Sequence, residues 1–317
     1  MNDPYRLLHA VASRTLPFYS SFKLNLPSPM AVVRMMWRDR VTHVELATPG
    51  PMGLIGLLGA RLLRLPVTAT FHTDVVALGE LLGGDPIPLG ALRKFVRWFY
   101  AAADRVRVFS PPSRDAVLAL GVPSERIDLV RPQVDPDDFS PSHRDPGIFD
   151  RLGVPRNGRP VVLSVGRVSQ EKNLPSILDA VWRLQGRISP APIVVVVGDG
   201  PERLRLEMAT ADRGFAFFVG HREGLVLRQM YASAQVFAFA SRLDTLGLVN
   251  LEALASGLPI VVPRDSNVAS LLQHDRDAFC YPPVPNGLED ALATLLEDRE
   301  RSARLSAAGR RFATASV

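Results

Sequence analysis

Two cations five positions apart, Arg167 and Lys172, stand in the run Val162-Leu-Ser-Val-Gly166-Arg167-Val-Ser-Gln-Glu-Lys172-Asn. A β-like run ends at Gly166, so both cations fall on a loop between a strand and a helix. Gly166 allows a ligand to approach the backbone closely. Arg167 offers phosphate oxygens a planar fork of donors, and Lys172 offers a point charge. A departing diphosphate gathers negative charge, and two cations aimed at it lower that barrier. The plain alternative is a pair of solvated surface charges. The scarcity of lysine weighs against it: of 37 basic residues only Lys23, Lys94 and Lys172 are lysines, the bias of a GC-rich genome.

The second segment reads Ser241-Arg-Leu-Asp244-Thr245-Leu246-Gly247-Leu248-Val-Asn-Leu-Glu252-Ala-Leu-Ala-Ser-Gly257. Its pattern predicts a helix over 246–256, with Thr245 as N-cap and Gly257 closing the C-terminus. The amides of Leu246, Gly247 and Leu248 then form an anion site at the helix start. Asp244 lies just before that site, and Glu252 about two turns inside, roughly 10–12 Å further along the axis. This spacing suits an extended ligand with its anion over the helix start and a hydroxyl-rich group at each carboxylate. The helix dipole alone accounts for an acid at the position of Asp244. It does not account for Glu252, whose flanks, Leu251 and Ala253 to Ala255, are apolar.

Smaller features share the pattern of a turn after a strand. Gly198-Asp-Gly200-Pro201 and Val219-Gly220-His221-Arg222 are either ligand-facing turns, the second bordering a base, or ordinary turn chemistry. Thr70-Phe-His72-Thr-Asp74 places a histidine where it either donates to a sugar hydroxyl or phosphate or is satisfied within the fold, with Asp74 to hold the imidazole.

The elements that must position these residues alternate. Strands are expected at 43–47, 67–71, 105–109, 127–131, 160–165, 193–197, 215–219, 236–239 and 259–262, with helical stretches between most of them. Such alternation predicts an α/β protein with parallel sheets covered by helices. The Pro-, Asp- and Ser-rich stretch 134–157 reads as a linker, so the domain boundary is expected near 145, giving domains 1–145 and 146–317. Two doubly wound domains facing each other place a ligand in the crevice beyond the strand C-termini. Leu16 to Pro29 is Pro- and Ser-rich, and no opening strand is expected there.

Composition narrows the classes. With 47% hydrophobic and 22% charged residues the chain is an ordinary globular protein. The single cysteine, Cys280, excludes an intrachain disulfide and a cysteine metal cluster, and fits a reducing cytoplasm. Residues 1–12 carry no apolar signal core, and the longest apolar run, 51–60, is too short to span a bilayer. Leu89 to Tyr100 is a basic aromatic helix with an apolar stripe of Leu89, Leu92, Val96, Phe99 and Ala103. It either lies on anionic lipid at the inner membrane face or packs into the first domain. Despite the net charge of +5, the chain lacks interleaved base-stacking aromatics, so no nucleic-acid partner is expected.

Taken together, these segments resemble glycosyltransferase family 4, of GT-B fold, nearest to its bacterial lipid- or GDP-mannose-dependent mannosyltransferases. The likeness spreads from about Thr42 to Pro283. It implies a retaining hexosyltransferase that moves a sugar, mannose before others, from a nucleoside diphosphate to a lipid, glycan or small-molecule acceptor, with no metal or other cofactor. By the resemblance, Arg167 and Lys172 hold the donor diphosphate, Asp244 the sugar and Glu252 the ribose, and His72 approaches the donor sugar. His72, Arg167, Lys172 and Asp244 thus fall at the reacting end. Gly166, Gly198, Gly200, His221 and Thr245 to Leu248 complete the donor site. Asp244 stands where many members carry Glu, as in the mannosyltransferase-like branch. Asp135-Pro-Asp137 lies in the linker and is expected to turn the chain rather than bind manganese. Members of the family open with a strand and Gly-rich loop that this chain is expected to lack, leaving the first domain incomplete, and they close with a helix that this chain is expected to lack in whole or in part. Two other readings use the same residues: a catalytically silent donor-binding subunit, and a GT-B nucleotide-sugar epimerase, which forms epimer without acceptor. A glycoside hydrolase needs two carboxyls flanking one bond and has no use for a diphosphate site.

Overall fold

The computed structural model describes residues 10–16, 19–82, 88–245 and 247–315. They form two compact units that divide between Val130 and Arg131. The division falls earlier than the position expected near 145 because the linker packs on the second unit. The amide of Asp145 donates to Ser233 Oγ at 2.9 Å. The Phe139 ring meets Tyr231 edge-on at 5.8 Å, and the Arg131 guanidinium lies 4.2 Å over the Phe312 ring.

The first unit opens with β1 (Ala10–Leu16) and β2 (Tyr19–Pro27), an antiparallel pair. No strand was expected in this Pro- and Ser-rich stretch. The signal is the alternation of Phe22, Leu24 and Leu26 with Lys23 and Asn25, a period-two pattern masked by the residues around it. Then follow α1 (Pro29–Arg38), β3 (Val44–Leu46), α2 (Pro51–Leu62), β4 (Val67–Thr70), α3 (Val75–Leu82), α4 (Leu89–Ala101), β5 (Arg105–Val108), α5 (Pro111–Ala119) and β6 (Ile127–Leu129). Strands β3-β4-β5-β6 form a parallel sheet in that order. Val44, Leu46, Val67, Ala69, Val106 and Val108 pack in one core with Leu57 of α2, Phe99 of α4 and Val117 of α5. The alternate positions are polar: Glu45 Oε1 accepts from Thr70 Oγ1 at 2.9 Å and from Arg107 at 2.6 Å. In α4 the stripe is divided. Val96, Phe99 and Ala103 are buried, whereas Leu89 is exposed along with Trp98.

The second unit comprises α6 (Ile148–Arg151), β7 (Val161–Val165), α7 (Leu174–Arg183), β8 (Ile193–Val197), α8 (Arg203–Thr210), β9 (Ala216–Gly220), α9 (Gly224–Ser233), β10 (Val236–Ala238), α10 (Leu248–Ala255), β11 (Ile260–Pro263), β12 (Phe279–Tyr281), α11 (Gly287–Glu297) and α12 (Arg299–Thr314). Strand β12, only three residues long, was not expected. The sheet order is β12-β11-β10-β7-β8-β9, with every pair parallel. Both faces are apolar. Strand β8 gives Ile193, Val195 and Val197 to one core and Val194 and Val196 to the other, as a doubly covered parallel strand must. Winding reverses between β7 and β10, and the C-terminal ends of those strands are where such a sheet opens a crevice.

Candidate functional site

At that reversal point lies a cavity of about 240 Å3. Gly166, Arg167 and Lys172 line it after β7, and Asp244, Gly247 and Leu248 line it after β10. Val165, Leu174 and Phe239 give it apolar walls. The two segments singled out by their chemistry, far apart in the chain, therefore meet around one space.

The loop that carries Arg167 is held from behind. Gly166 N donates to Val197 O at 3.0 Å, Val168 N to Asp199 O at 2.9 Å, and Glu202 N to Val168 O at 3.0 Å. This packing fixes the identity of Gly198 and Gly200. A Cβ on Gly198 would lie 1.9 Å from Gly166 O, and one on Gly200 2.3 Å from Val168 O. Neither glycine lines the cavity. Both were expected to touch the donor; in the fold they stand against the Arg167 loop and let the two backbone segments approach.

A 3-10 turn, Gln170–Lys172, presents Lys172 to the cavity. Its Nζ donates to Asp244 Oδ1 at 2.5 Å and to Oδ2 at 2.6 Å. The two side chains are only 27% and 24% exposed. Lysine has three N–H donors, so the pair leaves one for an anion.

Helix α10 starts later than the pattern predicted. Its first residue is Leu248 and its N-cap is Gly247, with φ +57° and no capping side chain. Thr245 is buried and lies outside the helix. The reason is a left-handed turn at Gly247, where a Cβ would come 2.4 Å from Val268 Cγ2; the chain can turn into the helix there only through glycine. Leu248 and Val249 line the cavity, and their amides are first-turn groups with no partner inside the helix. The amide expected from Leu246 lies outside the described residues. Gly257 follows the helix with φ +71°, its N–H donating to Leu254 O at 2.9 Å, in the expected closing role.

With α10 beginning at Leu248, Glu252 stands about one turn inside it rather than two. It is half-buried and is not among the residues lining the cavity. Its Oε2 accepts from the Tyr231 hydroxyl at 2.8 Å. Burial pushes the Glu252 carboxyl above the ordinary glutamate value, and the tyrosine bond pulls it back. His221 is 74% exposed, 3.6 Å from Glu223, and away from the cavity. Asp135 Oδ1 accepts from Asp137 N at 2.9 Å, so the Asp-Pro-Asp string folds as an Asx turn.

In the first unit His72 follows β4 and stacks on Phe109, with ring centroids 5.6 Å apart and planes at 23°. Burial lowers the basicity of its imidazole, with Glu45 opposing and Arg107 adding to that effect. Asp74, expected to orient this ring, caps α3: its Oδ1 accepts from Val76 N at 3.1 Å and Ala77 N at 2.9 Å.

Tyr231 escaped the sequence reading. It is a fully buried aromatic on α9 that pattern alone assigns to the core, and only its hydroxyl contact marks it. Ser241, whose buried Oγ has no hydrogen-bond partner among the described residues, gave no signal either. Cys280 is buried in β12, and burial pushes its thiol up to about 11. Among the described residues, no three His, Cys, Asp or Glu side chains group as a metal site.

Residues 150–312 match the family described as glycosyl transferases group 1, and residues 2–138 match Glycosyltransferase Family 4. A GDP-mannose-dependent alpha-mannosyltransferase of Mycobacterium tuberculosis is 33% identical over 316 residues, covering 98% of this chain and 79% of that protein. The sulfoquinovosyl transferase of Arabidopsis thaliana is 29% identical, covering 92% of this chain and 57% of its own length. Among solved structures, Anabaena HepE in complex with UDP-glucose shares the fold with a TM-score of 0.76 at 21% identity, covering 91% of this chain and 77% of that one. Sucrose-phosphate synthase from Thermosynechococcus elongatus superposes with a TM-score of 0.74 at 20% identity, covering 90% and 72%. With its two parallel-sheet units and these matches along nearly its whole length, the chain belongs to glycosyltransferase family 4 and is a glycosyltransferase of the GT-B class.

Proposed function

We propose that the enzyme moves a hexose, mannose first among the candidates, from a nucleoside-diphosphate sugar to a hydroxyl on a lipid, glycan or small-molecule acceptor, with retention of configuration. The observation that carries the donor assignment is the convergence of Arg167, Lys172, Asp244 and the first amides of α10 on one cavity at the reversal point of the second sheet. Arg167 holds diphosphate oxygens with its fork, Lys172 adds its third N–H, and the amides of Leu248 and Val249 complete the anion site. As the bond from the anomeric carbon to the diphosphate breaks, the charge that collects on the leaving group meets these donors already in place. These side chains supply the charge that a divalent cation supplies in other transferases, so transfer proceeds without bound metal. Asp244 accepts sugar hydroxyls while bridged to Lys172, and Glu252 accepts the ribose hydroxyls. The family resemblance assigns His72, whose basicity burial lowers, to the donor sugar. Guanosine as the base follows the mannosyltransferase relatives, and the complex of HepE with UDP-glucose supports uridine as the competing base. For a lipid acceptor, the exposed Trp98 with Arg93, Lys94 and Arg97 on α4 forms a basic aromatic face suited to anionic headgroups.

A thermal-shift titration with GDP, UDP, ADP and their hexose conjugates tests the reading. A saturable rise in melting temperature with one nucleotide supports the site and names the base. A cooperative melt that none of them moves overturns it.

A further inference from the structure

The Tyr231–Glu252 contact has a geometry that packing alone does not require. The Tyr231 ring packs against Phe139 of the linker, edge-on at 5.8 Å, and against Phe237 of β10, also at 5.8 Å. Its hydroxyl is thereby aimed at one carboxylate oxygen of Glu252, 2.8 Å away on the neighbouring helix α10. We propose that Tyr231 is a positioning residue for the donor: it fixes Oε2 of Glu252 so that Oε1 faces the ribose hydroxyls. This inference rests on the assignment of Glu252 to the ribose.

The physical argument has two parts. A glutamate side chain has three rotatable bonds, and a carboxylate expected to take two hydroxyls must be held at one angle before they arrive. Tyr231, rigid in the core, supplies that hold at no cost on binding. The second part is ionisation. Burial disfavours the charged form of Glu252, and the tyrosine bond favours it. Burial also pushes the Tyr231 phenol well above its ordinary value, so it remains a donor throughout the working range. The hydroxyl thus keeps Glu252 an acceptor with both lone-pair sites of Oε1 open.

Two groups of variants separate this role from packing. Tyr231→Phe keeps the ring and removes only the donor. Isothermal titration with GDP, or UDP if that is the nucleotide bound, is compared with titration of the 2′,3′-dideoxy form. The expected result is about tenfold weaker binding of the ribonucleotide, unchanged binding of the dideoxy form, and a loss that grows as pH is lowered towards the titration of Glu252. For turnover, KM for the sugar nucleotide rises while kcat holds. Should Y231F prove too unstable to titrate, Phe139→Leu removes a ring that packs on Tyr231 while leaving Glu252 intact, and the same selective loss is expected. Equal weakening of both nucleotides at every pH would mean that Tyr231 only packs, and would overturn the inference. So would wild-type binding by Y231F when Glu252→Gln is impaired. If E252Q itself binds the ribonucleotide like wild type, the ribose assignment fails first and this inference falls with it.

Discussion

Removing Lys172 offers the sharpest test of the site, because Lys172 is joined to its partner in a way that makes two variants behave oppositely. Its Nζ contacts both oxygens of Asp244, at 2.5 and 2.6 Å. In Lys172→Ala the donor loses one charge-assisted hydrogen bond to phosphate, worth about 1.5–3 kcal/mol, or roughly ten- to hundredfold in Kd. It also meets a carboxylate that is now unpaired, which places the expected loss near the upper end. In Asp244→Asn the negative charge disappears and Lys172 is released, so a bare nucleoside diphosphate binds at least as tightly as before. Sugar transfer nevertheless falls, because the hydroxyl acceptor is gone. The double variant regains part of the K172A loss. The ion pair is about a quarter exposed on each side, so its contribution to stability is about 1 kcal/mol and K172A melts only about 2–4 °C lower. Isothermal titration of wild type and the three variants with nucleotide and sugar nucleotide, alongside melting curves, gives every term. The reasoning fails if K172A binds within twofold of wild type, or if D244N weakens bare nucleotide as much as sugar nucleotide.

Three further outcomes are expected. Gly198→Ala forces a Cβ against Gly166 O in a backbone at φ +134°; it should destabilise by about 2 kcal/mol or more and weaken donor binding through the displaced Arg167 loop, and a G198A that melts and binds like wild type would refute the packing argument. Because Glu252 holds its proton more tightly folded than unfolded, folding favours the protonated form: stability is fullest below the ordinary carboxylate value and is lost as pH rises through the folded value. Glu252→Gln should therefore melt above wild type at pH 8, with the gap closing towards pH 4, even as it loses donor affinity; a gap that widens on acidification would reverse the sign. Transfer measured with a strong chelator should match the untreated rate, and a loss restored by manganese or magnesium would show that a metal takes part.

Much of the architecture was legible because both periodicities are local. The run Ile193–Val197 reads as a doubly buried strand from its residues alone, and the helices between such runs follow the 3.6-residue pattern. The cations and acids of the site were legible for a related reason: Arg167, Lys172 and Asp244 sit where a strand ends, and a parallel sheet gathers its strand ends at one rim. Local pattern was insufficient where a long-range contact decided. Thr245 is a sound N-cap by type, yet the chain takes a left-handed turn at Gly247, where Val268 leaves no room for a Cβ, and α10 begins only at Leu248. Gly198 and Gly200 read as ligand-facing turns, yet their missing side chains make room for the backbone of another loop. Asp74 reads as a partner for His72, and the fold also uses its Oδ1 to cap α3. The linker's allegiance to the second unit rests on Phe139 against Tyr231 and on Asp145 against Ser233, neither of which the linker's own composition encodes. The fold class, the places of most strands and the chemical types at the reversal point depend on neighbours within a few residues and can be read from local pattern. Which glycines back the Arg167 loop, where α10 begins and that Tyr231 holds Glu252 each depend on contacts between segments that the chain order keeps apart.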